Sequence, residues 1–168
     1  MNYFREKDIR ILFFINNRLH KKSLKGFFTA YTELGGVVFY SFLIIGLLVV
    51  NKPVGIELLV NIFISQFIVH SIKFLVHRPR PYKTYEEVIV RKESKDINSF
   101  PSAHTASSLM AALTFSHLYP ELTLVFLVAA VLVGLSRIYL GYHYPSDVLG
   151  SMGITLLTYV LIGLVDFL

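Results

Sequence analysis

The chain lacks cysteine entirely, which excludes disulfide bonds and thiolate metal sites and leaves the redox compartment open. Tryptophan is absent too, although 10 Tyr and 14 Phe can still supply aromatic belts at a membrane interface. Charged residues are scarce, at 16% against about 25% in an average soluble domain. Hydrophobic residues make up 54% of the 168 positions. This balance indicates a membrane protein with a single domain over residues 1–168.

The net charge is nevertheless positive, at +5. A protein that binds nucleic acid would carry such charge on a soluble polar face, whereas apolar runs dominate this chain. We therefore expect the bilayer and a phosphorylated lipid as partners, and no nucleic acid. The composition says nothing about the oligomeric state.

Five apolar segments have lengths adequate to cross a bilayer with some tilt, which takes about 20 helical residues. They cover residues 27–50, 54–76, 102–118, 122–135 and 148–168. Residues 1–25 place Lys and Arg between apolar positions and predict an amphipathic helix in the membrane interface. The expected fold is an all-α integral membrane bundle of about five spanning helices plus this N-terminal interfacial helix.

A polar interval over residues 78–100 separates the second and third segments. It is rich in charged residues and contains two prolines, so we expect a loop outside the membrane with at most one short helix. Alternating the spans then brings three places to one membrane face. These are the end of the second span, the start of the third, and the junction between the fourth and fifth.

Three blocks of charged and polar residues lie at these places. They are Lys73-x6-Arg80-Pro81, Pro101-Ser102-Ala103-His104 and Ser136-Arg137-x5-His143-x3-Asp147. Charge at a hydrocarbon boundary is expensive, so a functional role is the default interpretation. Each block alone is ordinary, since a lysine at a helix end usually snorkels and a His-x3-Asp pair usually lies on a helix surface. Their occurrence in order, at matching depth, is what favours a shared site.

The basic residues of these blocks are suited to holding a phosphate. The guanidinium groups of Arg80 and Arg137 can each donate two parallel hydrogen bonds to phosphate oxygens, and Lys73 adds a point charge. The second block predicts a helix start, whose free amides and dipole form an anion site. The groups concerned there are Ser102 and the amides of Ala103 and His104.

The two histidines have the chemistry of a nucleophile and a proton donor. His143 and Asp147 are four residues apart and would share one face of a helical turn. The carboxylate would accept a hydrogen bond from one ring nitrogen and leave the other free as a nucleophile or base. His104 would be the general acid for a poor alkoxide leaving group.

In these residues the chain resembles the type-2 phosphatidic acid phosphatase family, whose members share K-x6-R-P, P-S-G-H and S-R-x5-H-x3-D. The matching positions are Lys73, Arg80, Pro81, Pro101, Ser102, His104, Ser136, Arg137, His143 and Asp147. The resemblance covers residues 73–147 directly. Ala103 departs from it, because it stands where the family usually has Gly.

The resemblance implies a role for each residue and a bundle of about six helices. His143 would form a phosphohistidine, Asp147 would orient it, and His104 would protonate the leaving oxygen and then activate water. The phosphoryl oxygens would be held by Lys73, Arg80, Ser102, the Ala103 amide and Arg137. The resemblance implies no metal and no cofactor.

The expected function is therefore a membrane phosphatase that hydrolyses lipid phosphate monoesters or diphosphates. Phosphatidylglycerol phosphate, phosphatidate and undecaprenyl diphosphate are all chemically admissible. A lipid phosphotransferase would use the same residues, and a non-catalytic membrane protein is a third class. The intact set of Arg80, His104, His143 and Asp147 disfavours the last of these.

The membrane side of the site stays open. In this arrangement all of the 16 Lys and Arg except Lys52 lie on the motif-bearing side, which by the positive-inside rule favours the cytoplasm. Many bacterial members of the family that the chain resembles instead work on the outer face. The expected location is a multi-pass protein of the cell membrane.

Overall fold

The computed structural model describes residues 3–90, 93, 94 and 96–165, and these residues are helical apart from their connecting segments. No β-strand occurs in this part of the chain, where a single bridge joins Pro79 and Asn98. The helices are α1 (Tyr3–Phe13), α2 (Lys22–Tyr31), α3 (Val37–Val50), α4 (Lys52–Val76), α5 (Pro81–Thr84), α6 (Ala103–Leu118), α7 (Thr123–Tyr139) and α8 (Pro145–Val165). The expected all-α class is confirmed.

The N-terminal segment does not form the one interfacial helix that was expected over residues 1–25. Helix α1 continues into a π-helical turn, Phe14–Arg18, and α2 begins only at Lys22. One face of this segment packs against the rest of the bundle, since Asp8, Leu12 and Asn16 are buried. Asn16 Nδ2 donates to the carbonyl of Tyr139 at the end of α7 (2.7 Å), so this segment is tied to the bundle.

The structure does not by itself confirm the expected count of five membrane spans. Three helices are long and apolar enough, Lys52–Val76, Pro120–Tyr139 and Pro145–Leu164, and a bent pair could make a fourth. That pair is Lys22–Gly35 with Val37–Val50, bent by 51°. The bend follows from close packing, because a Cβ on Gly35 would lie 2.7 Å from Val133 Cγ1 and 2.9 Å from the His104 carbonyl.

Helix α6 is the centre of the bundle, although with 16 residues it is shorter than the three helices that are long enough to cross a membrane. It packs against α4, α7 and α8, and its residues from Thr105 to Ala112 are buried. Two polar side chains of α4 bind it across the interface. Asn61 Nδ2 donates to Thr114 Oγ1 (3.0 Å), and Gln66 Nε2 donates to Ser107 Oγ (2.9 Å). Small residues on α6 permit this close approach.

Residues 78–100 form the expected loop with one short helix, α5. Helix α4 ends at Val76, and the next residue, His77, caps it. The φ of His77, 49°, lies in the left-handed region and turns the chain away from the helix axis. Ser99 N then donates to the Arg78 carbonyl (2.7 Å), which closes the loop on itself. Positions 91, 92 and 95 of this loop lie outside the described residues. The loop returns the chain to the start of α6 beside the end of α4.

Candidate active site

The ends of α4, α6 and α7 and the turn before α8 enclose a cavity of about 430 Å³. Six of the eight predicted site residues line it: Lys73, Arg80, Ala103, His104, Arg137 and His143. The other two, Ser102 and Asp147, have no exposed surface. The structure therefore brings the three sequence blocks together at one end of the bundle.

Lys73 and Arg80 share an acidic partner, Asp96, from the loop before α6. Lys73 Nζ forms an ion pair with Asp96 and also donates to the Asn98 carbonyl (3.2 Å). Arg80 Nη2 lies 3.1 Å from Asp96 Oδ2. Burial favours the neutral form of Asp96, but the hydrogen bond and charge of Lys73 outweigh it and hold the pKa below its usual value. Sequence reasoning missed this carboxylate, which lies between two predicted phosphate ligands.

Arg137 reaches the cavity from the last turn of α7. Its Nη1 donates to Thr32 Oγ1 (2.9 Å), and its guanidinium carbon lies 4.4 Å from the centre of the Tyr142 ring. Among the described residues, the buried Nε of Arg137 has no hydrogen-bond partner. A buried donor without a partner is costly, so this group is suited to an anionic ligand.

The His143 ring presents Nε2 to the cavity, beside the guanidinium of Arg80. Arg80 Nη1 lies 3.4 Å from Nε2, and a guanidinium can only donate. Nε2 is therefore the acceptor nitrogen, and the proton of the neutral ring lies on Nδ1. Burial lowers the pKa of His143 well below its ordinary value, and the charges of Arg137, Arg80 and Lys73 lower it further. The ring is thus neutral and nucleophilic at physiological pH.

Asp147 lies behind His143, but the two residues do not share a helical turn as expected. Helix α8 begins at Pro145, so His143 belongs to the preceding turn, in which Gly141 has a φ of 74°. Asp147 Oδ2 accepts from the Tyr144 amide (2.9 Å), which is the reciprocal half of a capping box. The same oxygen lies 3.5 Å from His143 Nδ1, a buried nitrogen that has no hydrogen-bond partner among the described residues.

Helix α6 begins where the sequence predicts, immediately after Ser102. The Ser102 hydroxyl caps this helix, since it accepts from Thr105 N (3.4 Å) and Thr105 Oγ1 (2.9 Å). The first intrahelical bond runs from Ala106 N to the Ser102 carbonyl (3.0 Å). The amides of Ala103 and His104 precede it, so they are available to an anion.

His104 lies where two cavities meet. It lines the main cavity and also a smaller one of about 190 Å³, which Glu33 and Arg137 border as well. The position depends on the close contact of Gly35 with the His104 backbone. His104 as a whole residue is half-buried.

The main cavity continues from the charged end into an apolar region between α3 and α4. That region is lined by Val37, Tyr40, Ile44 and Ile62, with Ser41, Gln66 and His70 beside them. A cavity with cations at one end and aliphatic side chains at the other fits an amphiphile that carries an anionic group.

Two further residues, Arg78 and Asp8, contact the site from behind, and the sequence analysis gave Asp8 no role there. Arg78 Nη1 donates to Asp147 Oδ1 (2.7 Å), and Arg78 Nη2 donates to Asp8 Oδ2 (2.8 Å). One signal for Asp8 was available, because it precedes the buried Leu12 by four residues and so shares its helix face. An acid on the apolar face of an amphipathic helix indicates a buried partner.

The family profile of the PAP2 superfamily matches residues 55–166. The chain belongs to this superfamily. The resemblance found in the three sequence blocks is thereby confirmed, because the matched region contains all of them. The eight predicted site residues all lie inside it.

Curated PAP2 relatives match about half of this chain. An undecaprenyl-diphosphatase of Bacillus subtilis, BcrC, is 30% identical over 88 residues, which are 52% of this chain and 45% of the relative. A decaprenylphosphoryl-5-phosphoribose phosphatase of Mycobacterium tuberculosis is 39% identical over 94 residues, 56% of this chain and 50% of the relative. The chain thus spans about half the length of these two relatives.

Two solved structures match more of the chain. The crystal structure of Aquifex aeolicus LpxE has a TM-score of 0.83 at 28% identity and covers 91% of this chain and 92% of its own. A phosphatidylglycerolphosphate phosphatase of the PAP2 type from Bacillus subtilis has a TM-score of 0.81 at 26% identity, with coverage of 99% and 87%. The second is described as a transmembrane protein, which agrees with the apolar helices found here.

Proposed function

We propose that this PAP2 protein is a multi-pass membrane phosphatase that hydrolyses lipid phosphate monoesters or diphosphates through a phosphohistidine on His143. One observation carries the proposal. The acceptor nitrogen of a buried, neutral imidazole faces a cavity lined by Lys73, Arg80 and Arg137. A nucleophile surrounded by cations is matched to an anionic phosphorus centre.

In the first step His143 Nε2 forms a bond to phosphorus, and the bond from phosphorus to the leaving oxygen breaks. His104 gives that oxygen a proton, which makes the lipid alcohol or lipid phosphate a better leaving group. In the second step a water oxygen bonds to phosphorus while His104 takes the water proton. The bond from phosphorus to Nε2 then breaks, which releases inorganic phosphate and restores neutral His143.

The surrounding residues stabilise charge on the transferring group. Lys73, Arg80 and Arg137 neutralise the equatorial oxygens, and the first amides of α6 add donors at the helix N-terminus. Ser102 supports this cradle through its cap on α6, and Ala103 contributes its amide. Asp147 stabilises the positive charge that develops on His143 as Nε2 is phosphorylated.

The substrate class follows from the two ends of the cavity. The cationic end takes a phosphate or diphosphate, and the apolar region between α3 and α4 accommodates the first part of a lipid chain. Isoprenoid diphosphates and phosphatidylglycerol phosphate both fit this division, and the names of the relatives favour these two classes. Phosphatidate fits the same chemistry.

We also propose that the chain crosses the membrane five times. Helix α6 packs along both α4 and α7. Asn61 of α4 binds Thr114 of α6 and Gln66 binds Ser107, so these two helices run antiparallel and α6 traverses the same thickness as α4. Because it is enclosed by other helices, it does not need the apolar length that contact with lipid requires. The other four crossings would be α4, α7, α8 and the bent α2–α3 pair.

Phosphate release from purified protein in detergent tests the proposed function. The substrates are undecaprenyl diphosphate, phosphatidylglycerol phosphate and phosphatidate, each assayed with a chelator present. We expect release from at least one of them, and a loss of at least about 10³-fold in His143→Ala. The matched control is His117→Ala, since His117 is exposed at the far end of α6. Equal release from His143→Ala and the wild type would refute the proposal.

A further inference from the structure

Arg78 connects the carboxylate behind His143 to the N-terminal helix. Its Nη1 donates to Asp147 Oδ1 (2.7 Å) and to Ser146 Oγ (2.7 Å). Its Nη2 donates to Asp8 Oδ2 (2.8 Å). The guanidinium also lies over the Tyr144 ring, 4.0 Å from its centre. One side chain thus bridges α1 and the first turn of α8.

Asp8 completes this bridge from the other side. The side chain is buried, and its Oδ1 accepts from the Ser146 amide (2.8 Å). Asp8 therefore binds Arg78 and the start of α8 at the same time. An aspartate near a helix N-terminus also interacts favourably with the helix dipole.

The consequence for Asp147 is a fixed orientation. Arg78 holds Oδ1, and the Tyr144 amide holds Oδ2. The carboxylate cannot rotate without losing one of these bonds. Its Oδ2 is therefore held on the Nδ1 side of His143, at 3.5 Å, where its negative charge stabilises the positive charge that develops on the ring.

We infer that Asp8, acting through Arg78, is a positioning residue for the reaction at His143, so that helix α1 is part of the catalytic apparatus. The inference rests on the function proposed above. Neither residue touches the substrate. Asp8 and Arg78 line a different cavity, of about 450 Å³, which lies against α1. Their effect must pass through Asp147, so it concerns the rate of phosphoryl transfer and not the binding of phosphate.

The first test is Asp8→Asn, with Glu6→Gln as its matched control. Both changes remove one acid from α1, but Glu6 pairs with Arg10, four residues along the same helix and away from Asp147. We expect Asp8→Asn to lower kcat about tenfold, because a small misplacement of a catalytic group costs one to two orders of magnitude in rate. KM and the inhibition constant of inorganic phosphate should change less than twofold. Glu6→Gln should match the wild type in all three.

The second test is Arg78→Lys, which keeps the charge but replaces the fork with a single ammonium. An ammonium cannot donate to Asp8 and Asp147 in the same planar arrangement, so we expect kcat to fall as in Asp8→Asn. Arg78→Lys also tests the positioning role by itself if Asp8→Asn does not fold in detergent. A kcat equal to wild type in either folded variant would overturn the inference. So would a loss of phosphate binding in parallel with the loss of kcat.

A spectroscopic readout separates this inference from the proposed function. In histidine-labelled protein, nitrogen NMR reports the tautomer and hydrogen bonding of His143 without any turnover. We expect a change at His143 Nδ1 in Asp8→Asn and none in Glu6→Gln. If the wild type releases no phosphate but this change occurs, the proposed function fails and the positioning contact stands. If release is normal and the His143 signals do not move, the positioning inference fails alone.

Discussion

Asp96 lines the same cavity as the proposed phosphate ligands. Its carboxylate pairs with both Lys73 and Arg80, two of the cations there. Under the proposed function, a phosphate bound to these cations would compete with Asp96 for them.

Removing this carboxylate should strengthen phosphate binding. We predict that Asp96→Asn lowers the inhibition constant of inorganic phosphate about fivefold, since a half-exposed ion pair is worth up to about 1 kcal/mol. Glu93→Gln is the matched control, because Glu93 belongs to the same loop but pairs with Lys83 at the surface. Inhibition assays on the two variants make the comparison. Weaker phosphate binding in Asp96→Asn would mean that Asp96 holds the cations in place.

The depressed pKa of His143 makes stability depend on pH. The folded protein keeps this ring neutral, whereas the unfolded chain protonates it below about pH 6.5, so the unfolded state binds more protons there. Stability should fall as the pH drops below that value, by up to about 1.4 kcal/mol per pH unit from this group. His143→Gln should lose less thermal stability than wild type between about pH 7 and pH 5. Equal losses, measured as Tm in detergent, would contradict a neutral buried ring.

Some of the residues at the candidate site could be predicted from the sequence and others could not. The eight predicted site residues follow from fixed spacings within three short blocks, so local sequence is enough to identify them. Asp8, Arg78 and Asp96 act through partners that are distant in the chain or lie across a loop, and their pairing depends on the tertiary fold. Asp8 is 138 positions from Ser146, whose amide and hydroxyl both donate hydrogen bonds to it. No local pattern specifies such a contact.

At the level of helices, apolar runs located the long elements but not their bends. Residues 35–50 are continuously apolar and were joined with residues 27–34 into one expected span, yet the chain bends at Gly36, where Gly35 packs directly on α6. The start of α6 was predictable, since its cap is a local signal. The inward face of α1 was not, because Asp8 and Asn16 are polar and find their partners only in the folded bundle.

The hairpin of α3 and α4 depends on one glycine. A Cβ at Gly55 would lie 2.7 Å from the Leu48 amide nitrogen and 2.9 Å from the Leu47 carbonyl carbon, both backbone atoms that cannot move independently. We predict that Gly55→Leu lowers stability by about 1–3 kcal/mol, as overpacking does. Gly46→Leu is the control, since a Cβ there meets nothing within 4 Å. Thermal unfolding in detergent should separate the two variants, and similar Tm values would show that α3 can shift without cost.

The whole molecule is an arrangement that brings distant polar segments to one end of an apolar bundle. The residues that line the cavity come from the ends of α4 and α7, the starts of α3 and α6, the loop between α4 and α6, and the turn before α8. The bundle excludes water from His143 and keeps it neutral, while the cations beside it attract phosphate. The convergence of the three blocks was expected from the alternation of five spans. By length and composition alone, the structure gives three to four helical spans.

The central claim is that the phosphoryl group is transferred to His143 before it is released, and it can be tested by isolating this phosphohistidine intermediate. Purified protein is mixed with a lipid substrate that carries a labelled terminal phosphate, quenched in alkali within one turnover, and digested for mass spectrometry. We predict labelled phosphate on His143, stable to base and labile to acid, and no labelled protein in His143→Ala. Labelled phosphate on another residue, or turnover with no labelled protein at any time, would contradict the account.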